Sequence, residues 1–188
     1  MKEITVSNVC KAYDGRPVLQ NVSFTARADR PTCLRAPSGT GKTTLLRLLL
    51  GLERPDSGTI TYPTPCRWGA VFQENRLLEH LDAMANLRFA AGPALEEERA
   101  RRLLEELGLE EVGGKLVRSY SGGMKRRLAL ARALVVPCDA LALDEPFAGL
   151  DEENRRRAWA CVEREAAGKI VLIASHEDLE PEAAVVRL

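Results

Sequence analysis

The chain has 188 residues, a length that suits one compact domain with a substantial hydrophobic core. Lys plus Arg and Asp plus Glu number 27 each, so no excess charge indicates nucleic acid or an anionic membrane as a partner. The five cysteines are dispersed and form no CxxC pair, which argues against a disulfide framework or a zinc site and favours a reducing cytosol. The polar start MKEITVSNVCKAYDG predicts no signal peptide, and the apolar runs are too short to span a bilayer.

The first part of the chain is predicted to consist of strands around one helix. Short groups of apolar, β-branched and aromatic residues between turn signals are typical of strands. We predict strands over Ile4–Val9, Val18–Phe24, Cys33–Arg35, Thr59–Thr61 and Trp68–Phe72. The leucine-rich stretch from Lys42 to Gly51 predicts a helix that stops at the glycine.

The composition changes between Asn75 and Tyr120, where helix formers dominate. Helices are predicted over Leu81–Ala91 and Ala94–Leu107, the second with leucines on a polar background. We interpret residues 75–120 as a helical insertion that packs beside the main sheet.

Helices and continuous apolar strands alternate in the last third of the chain. The predicted elements are the helices Gly122–Val136 and Asp151–Ala167 and the strands Ala140–Leu143 and Ile170–Ala174. Continuous apolar runs between helices indicate a parallel sheet that is covered on both faces. The sequence therefore predicts an α/β fold with a mostly parallel core sheet.

The segment APSGTGKTT has the features of a phosphate-binding loop between a strand and a helix. Its glycines allow the backbone to turn so that several N–H groups point at one anion, and the helix N-terminus adds partial positive charge. Lys42 supplies a full charge to the β- and γ-phosphates, and the Thr43 hydroxyl can coordinate Mg²⁺. The predicted ATP ligands here are Ala36, Pro37, Ser38, Gly39, Thr40, Gly41, Lys42, Thr43 and Thr44.

Ala36 stands where the pattern GxxxxGK[ST] has its first glycine. Alanine fits this position if its φ is negative, whereas a positive φ would cost on the order of 1 kcal/mol in strain. We expect the substitution to be tolerated.

Asp144 and Glu145 end the predicted buried strand ALALDE. A buried carboxylate is costly unless a cation or hydrogen bonds compensate it, and α/β sheets place ligands at the ends of their parallel strands. Asp144 is predicted to hold Mg²⁺ through water, and Glu145 to accept a proton from the attacking water. The alternative is a strand-end acid that caps the next helix.

Ser121, Gly122 and Gly123 open a predicted helix whose first turn contains Lys125, Arg126 and Arg127. This is a second helix N-terminus that could bind an anion. Serine is also a common N-cap that needs no ligand, so both interpretations stay open from these residues alone.

Taken together, the motifs resemble those of the nucleotide-binding domain of ABC transporters over nearly the whole chain. APSGTGKTT matches the Walker A loop, LALDE (141–145) the Walker B strand and YSGGM (120–124) the signature motif. Phe72-Gln73-Glu74 matches the Q-loop, AGLD (148–151) the D-loop and Ser175-His176 the H-loop, all in the family's order. Tyr13 lies where family members stack an aromatic ring on adenine.

The resemblance implies a P-loop NTPase fold. Residues 1–74 and 121–188 would form a RecA-like core with an N-terminal antiparallel β subdomain, and residues 75–120 a helical subdomain. Two copies would form a head-to-tail dimer, in which each ATP lies between the phosphate loop of one copy and Ser121, Gly122 and Gly123 of the other.

The resemblance also implies roles for single residues. Tyr13 would stack on adenine or, alternatively, pack on the sheet edge. Gln73 would sense Mg²⁺ and the γ-phosphate, so that Thr43, Gln73 and Asp144 are the predicted metal residues. Glu145 would be the general base and Asp151 would act across the dimer interface. His176 would contact the γ-phosphate or, alternatively, be a structural histidine.

The implied function is ATP hydrolysis that drives transport through separate membrane subunits. The protein would act at the inner face of the cell membrane and, in an importer, together with a solute-binding protein.

Tyr120 and Met124 replace the leucine and glutamine of the signature, and SGGM with VFQENRLL (71–78) resembles importers of the nitrate, sulfonate and taurine group. Two alternatives are an ABC ATPase of iron–sulfur assembly and a module that binds ATP without hydrolysis. Intact Lys42, Asp144, Glu145 and His176 argue against the second.

Overall fold

The computed structural model of the chain describes residues 2–37, 39–112, 114–176 and 184–187. The chain forms two compact units: residues 1–68, 138–145 and 168–188 in the first, and residues 69–137 and 146–167 in the second. Among the predicted ligands, Ser38 lies outside the described residues.

An antiparallel sheet of three strands opens the first unit. β1 (Glu3–Tyr13) lies between β2 (Arg16–Arg27) and β4 (Ser57–Thr61), and β1 and β2 form a hairpin that turns at residues 14–15. The pairing of β1 with β4 shifts its register between Ser7 and Cys10, and Asn8 within this irregularity has a φ of 51°. This sheet confirms the predicted antiparallel β region.

Parallel strands form the other sheet of the first unit. β6 (Ala140–Asp144), β7 (Ile170–Ala174), β3 (Thr32–Arg35) and β8 (Ala184–Arg187) lie side by side in this order, and each neighbouring pair is parallel. Every residue of β6 and β7 is buried, which explains their continuous apolar sequences. β5 (Trp68–Val71) leads along the chain from the first unit into the second.

The helix α1 (Lys42–Leu49) follows β3 and supplies four leucines to the core of the first unit. They pack with apolar side chains from both sheets, among them Ile4 of β1, Ala142 of β6 and Leu172 of β7. Burial of these side chains is the main favourable term in the stability of the unit.

Four α-helices lie in the described part of the second unit. They are α2 (Ala83–Ala91), α3 (Glu97–Glu106), α4 (Gly122–Val135) and α5 (Glu152–Glu165). The longest buried face belongs to α4, which packs against the other three helices and buries Leu128, Leu130 and Leu134 completely. Single 3-10 turns lie at Gly92–Ala94, Glu110–Val112 and Val117–Ser119.

The structure confirms the predicted elements and corrects some of their ends. The α2 helix begins at Ala83 and not at Leu81, because the Asp82 side chain accepts a hydrogen bond from the Ala85 N–H and caps the helix. The helix predicted from Ala94 begins at Glu97, since a 3-10 turn with Pro93 precedes it.

The strand β8 was not predicted from the sequence. It is only four residues long, and it pairs with β3 along its whole length.

Among the described residues, no helix combines the length and apolarity needed to cross a bilayer.

The pairing of β1 with β4 requires glycine at position 58, where φ is 84°. A Cβ at this position would lie 2.3 Å from the Asn8 carbonyl oxygen, whereas a Cβ at Gly51 (φ 69°) would meet nothing within 4 Å. We expect Gly58→Ala to cost at least about 3 kcal/mol of unfolding free energy, because left-handed strain adds to the overlap. Gly51→Ala, the matched control, is expected to cost about 1 kcal/mol. Urea denaturation measures both, and equal losses would contradict the close approach at Gly58.

Candidate functional site

The parallel strands of the first unit bring three loops to one edge of their sheet. Leu34 of β3 and Asp144 of β6 both lie opposite Ala174 of β7, so the carboxyl ends of the three strands coincide. The residues that follow these ends are the phosphate loop, Glu145, and Ser175 with His176. This is the edge where α/β sheets bind ligands.

The phosphate loop turns into α1 at Gly41, the N-cap, which has a left-handed backbone with a φ of 101°. A Cβ at this position would lie 2.7 Å from Leu19 Cδ2 and 3.1 Å from the Val18 carbonyl oxygen. Both the φ and the closeness of β2 therefore require glycine here. No non-glycine residue of the described chain other than Asn8, Asp14, Asn21, Arg76 and Glu145 has a positive φ. Ala36 therefore has no positive φ, so the strain considered for alanine at this position does not arise.

The Lys42 side chain lies inside the loop that it follows. Its Nζ donates to the Ala36 carbonyl oxygen at 2.6 Å and to the Pro37 carbonyl oxygen at 3.3 Å, and the residue is only 8% exposed. The Thr40 hydroxyl donates to the Pro37 carbonyl oxygen at 2.6 Å. These bonds hold the loop in a shape that keeps one positive charge at the start of α1, where an anion is favoured.

Thr43 and Asp144 join the phosphate loop to the end of β6. The Thr43 hydroxyl donates to Asp144 Oδ2 at 2.8 Å, and the Asp144 side chain is buried, with 4% of the residue exposed. Two oxygen ligands that Mg²⁺ prefers are thus in contact beside the phosphate loop. Thr44, the other threonine of the motif, is the third residue of α1.

Glu145 is held in an unusual backbone conformation. Its φ of 48° is left-handed, and its N–H donates to the Ala174 carbonyl oxygen at 2.8 Å. A non-glycine residue in this region costs on the order of 1 kcal/mol, a strain that is typical of functional sites.

His176 contacts the carboxylate of Glu145. The His176 Nδ1 lies 3.0 Å from Glu145 Oε1, and the two side chains are 58% and 19% exposed respectively. This contact can be a hydrogen bond in which the ring nitrogen donates to the carboxylate, because an ionised carboxylate only accepts.

Tyr13 lies at the end of β1 and is 40% exposed. Its hydroxyl donates to the carboxylate of Glu53, and the Lys11 ammonium lies 5.5 Å from the centre of its ring. Burial of the hydroxyl and the hydrogen bond with Glu53 raise the pKa of Tyr13 above its usual value, so the phenol is neutral at pH 7. The ring is therefore fixed at its polar end while much of its surface remains open to a ligand.

The signature residues belong to the second unit. Ser121 is the N-cap of α4, where its Oγ accepts a hydrogen bond from the Met124 N–H at 3.3 Å. Gly122 and Gly123 are the first two helical residues, and a Cβ at Gly122 would meet nothing within 4 Å. Ser121 thus acts as a cap in this structure, and ligand binding at this helix start remains a prediction.

Asp151 is the N-cap of α5 in the second unit. Its Oδ1 accepts from the Asn154 N–H at 2.9 Å and its Oδ2 from the Asn154 side-chain amide at 2.7 Å. The backbone N–H of Asn154 is the main cause that lowers the pKa of Asp151 below its usual value. Gln73, in the loop after β5, also belongs to the second unit.

The basic residues in the first turn of α4 bind groups within their own unit. Lys125 Nζ lies 2.7 Å from Glu79 Oε1, and Arg127 Nη1 donates to the Gly108 carbonyl oxygen at 3.0 Å. Arg126 donates to the Phe72 carbonyl oxygen at 2.7 Å. The anion affinity predicted for this helix start therefore depends on the backbone N–H groups of the helix and not on these three side chains.

Similarity to known proteins identifies the family of the chain. The family model described as ABC transporter matches residues 19–148. The chain belongs to the ABC transporter family. It is also similar to the solved structure of an ABC transporter ATP-binding protein from Pyrococcus furiosus, with a TM-score of 0.89, 23% identity and coverage of 99% of this chain and 97% of the other. That likeness confirms the ABC ATPase fold.

Curated relatives include importers and exporters. The chain is 39% identical over 174 residues to the aliphatic sulfonates import ATP-binding protein of Burkholderia lata, covering 86% of the chain and 63% of the relative. It is 38% identical over 201 residues to the Nod factor export ATP-binding protein I of the same organism, covering 98% of the chain and 66% of the relative. The chain spans about half to two thirds of the length of the curated relatives that it matches. A sulfonate importer is among them, as the motifs predicted.

Two contacts at these motifs were not predicted from the sequence. Glu53, which accepts the hydrogen bond of Tyr13, follows α1 in a turn and carries no motif. Arg126 was noted only as one of three basic residues at a helix start, whereas it is 5% exposed and binds the Q-loop. Helical periodicity places Arg126 on the buried face of the predicted helix. A basic residue on such a face could have indicated a buried hydrogen-bond partner.

The Lys42 geometry predicts a loss of nucleotide affinity in Lys42→Ala. The variant removes the charge and the bonds that order the loop, and charge-assisted hydrogen bonds of this kind contribute about 1.5–3 kcal/mol. We expect ATP affinity to fall at least about tenfold in a titration with a fluorescent ATP analogue. Lys169→Ala is the matched control, since Lys169 precedes β7 at the opposite edge of the sheet. Unchanged affinity in Lys42→Ala would refute the role of this loop.

Proposed function

We propose that the chain is the ATP-binding and ATP-hydrolysing subunit of an ABC transporter that works with separate membrane subunits. The observation that carries the proposal is the grouping of Lys42, the Thr43–Asp144 pair and the Glu145–His176 pair at one sheet edge of the first unit. A phosphate cradle, oxygen ligands for a divalent cation and a carboxylate base are the parts that phosphoryl transfer to water requires.

ATP binding is supported by the phosphate loop and by Tyr13. Lys42 can exchange its bonds to the Ala36 and Pro37 carbonyl oxygens for bonds to the β- and γ-phosphates, because three N–H donors are available on its ammonium. Tyr13 offers an exposed ring for stacking on adenine, and Glu53 holds that ring in place. ATP-binding proteins are named among the relatives of the chain.

The residues present fit a magnesium ion beside the phosphates. The Thr43 hydroxyl and the Asp144 carboxylate are hard oxygen ligands in contact at 2.8 Å, and Asp144 is buried, so a cation would compensate its charge. When bound with ATP, Mg²⁺ neutralises phosphate charge that develops during the transfer. Gln73 remains a predicted further ligand, and it belongs to the second unit.

Hydrolysis needs a group that removes a proton from water, and Glu145 supplies it. The oxygen of water attacks the γ-phosphorus, the bond to the β–γ bridging oxygen breaks, and the carboxylate of Glu145 takes the proton. The left-handed backbone of Glu145 and its contact with His176 fix the direction of this carboxylate. His176 would in turn contact the γ-phosphate.

The second phosphate-binding motif is explained by a second copy of the chain. The N–H groups at Ser121, Gly122 and Gly123 begin a helix of fourteen residues and can bind the γ-phosphate of ATP held by the other copy. Asp151, two residues after Gly149, would act across the same interface. The resulting head-to-tail dimer would contain two ATP molecules, and its closure would drive transport.

Membrane subunits are the partners that the names of the relatives support, since these relatives are import and export ATP-binding proteins. The helical insertion at residues 75–120 would receive a segment of such a subunit. The protein would then act at the inner face of the cell membrane, together with a solute-binding protein if it serves import.

Glu145→Gln tests hydrolysis. Glutamine keeps the size of the side chain and a hydrogen bond with His176 but cannot accept the proton, and a positioned general base contributes about 10²–10⁴-fold. We expect phosphate release to fall at least about a hundredfold, while ATP stays bound and two copies elute together on size exclusion with ATP.

The matched control is Glu163→Gln, a change at an exposed glutamate of α5. It is expected to release phosphate at the rate of the unmodified protein. Normal turnover in Glu145→Gln would show that the base is another group. No phosphate release by the unmodified protein, alone or with its membrane subunits, would refute hydrolysis itself.

A further inference from the structure

Arg126 is a buried cation in the helix that begins at the signature residues. It is 5% exposed, and its Nη1 lies 2.7 Å from the Phe72 carbonyl oxygen, 3.3 Å from the Gln73 carbonyl oxygen and 3.1 Å from Asn75 Oδ1. All three acceptors lie in the loop of residues 72–78, which begins with the Q-loop motif. A long, rotamer-rich side chain is thus fixed on a loop that contains no helix or strand of its own.

A second arginine of the same helix holds the next part of that loop. Arg132 donates to the Asn75 carbonyl oxygen at 2.8 Å and also to the carbonyl oxygen of Arg76. Arg126 and Arg132 are six residues apart on α4, so the loop from Phe72 to Arg76 is bound to this helix at two places.

The far end of the loop is held by a different helix. Asn86 of α2 is completely buried, accepts from the Leu78 N–H at 2.9 Å and donates to the Leu78 carbonyl oxygen at 3.0 Å. Several backbone groups of residues 72–78 are therefore hydrogen-bonded to side chains of α2 and α4. A buried carbonyl that loses its donor is costly, so the loop conformation depends on these side chains.

We propose that Arg126 is a positioning residue for ATP hydrolysis: it locks the Q-loop to the signature helix, so that Gln73 and Ser121 move as one body. The inference rests on the proposed function, since it gives Gln73 and Ser121 their roles toward ATP. Ser121 is the N-cap of α4 and Arg126 lies about one and a half turns later, so a shift of the helix displaces the loop directly. A planar guanidinium suits this task because it presents several donors in a fixed geometry to a group of carbonyl oxygens.

The experiment compares three arginine-to-methionine variants of the full chain. Arg126→Met removes the contact to Phe72 and Gln73, and Arg132→Met removes the contact to Asn75 and Arg76. Arg99→Met is the matched control: Arg99 also donates to carbonyl oxygens of α4, those of Leu134 and Val135, but at the other end of the helix and away from the loop. The measurements are kcat and KM for ATP, thermal stability, and hydrogen exchange of peptides that cover residues 72–78.

The expected result is a fall of kcat in Arg126→Met of about tenfold or more, with KM for ATP changed less than about twofold because Lys42 and Thr43 lie in the first unit. Arg132→Met should lose less, about threefold, and Arg99→Met less than twofold even when its stability falls as much. Peptides covering residues 72–78 should exchange hydrogen faster in Arg126→Met and Arg132→Met than in the unmodified protein. In Arg99→Met their exchange rate should be unchanged. If Arg126→Met does not fold, Arg126→Lys, which keeps the charge without the planar fork, takes its place with the same expected direction.

Each contrary outcome has one meaning. Faster exchange with unchanged kcat would make Arg126 structural only and overturn the positioning role. Equal losses of kcat in Arg126→Met and Arg99→Met would also overturn it, since general destabilisation would then be the cause. Unchanged exchange in Arg126→Met would refute the lock itself. If the unmodified protein hydrolyses no ATP, the proposed function fails, while the exchange data still decide whether Arg126 orders the loop.

Discussion

The parallel pairing of β6, β7 and β3 is the constraint on which the site depends. Because Leu34 and Asp144 share Ala174 as their opposite residue, three separate segments of the sequence end at the same level. A shift of this register by one residue would separate the hydroxyl of Thr43 from the carboxylate of Asp144, which now meet at 2.8 Å. The complete burial of β6 and β7 makes such a shift costly, so the packing of the core fixes the positions of Thr43 and Asp144 relative to each other.

The two units contain different kinds of candidate ligand. The first unit offers charged side chains, namely Lys42, Asp144 and Glu145, each held by a contact within the unit. The second offers helix starts capped by Ser121 and Asp151. Under the proposed function, the side-chain charges would bind the reacting phosphates and the metal, and the capped helix starts would bind an anion held by another molecule.

Sequence reasoning predicted the local structure correctly at the short continuous motifs. The strand–loop–helix around Lys42 and the strand before Asp144 were predicted because local pattern and local structure coincide there. It failed for β8, whose four residues form a strand only because β3 offers an edge. It also missed the bond of Arg126 to Phe72, since 54 residues separate them and only the packing of α4 brings them together.

At Glu145, the residue types that would give the highest stability differ from the one that provides a carboxylate. Glycine or asparagine would adopt a φ of 48° with less strain than glutamate. Glycine has no Cβ and therefore no steric penalty in this conformation. Such replacements would relax the turn after β6, yet they remove the carboxylate that faces His176. If Glu145 is the general base, as proposed, variants selected for heat resistance alone would drift toward residues without an acid at this position, and selection for turnover would keep the glutamate.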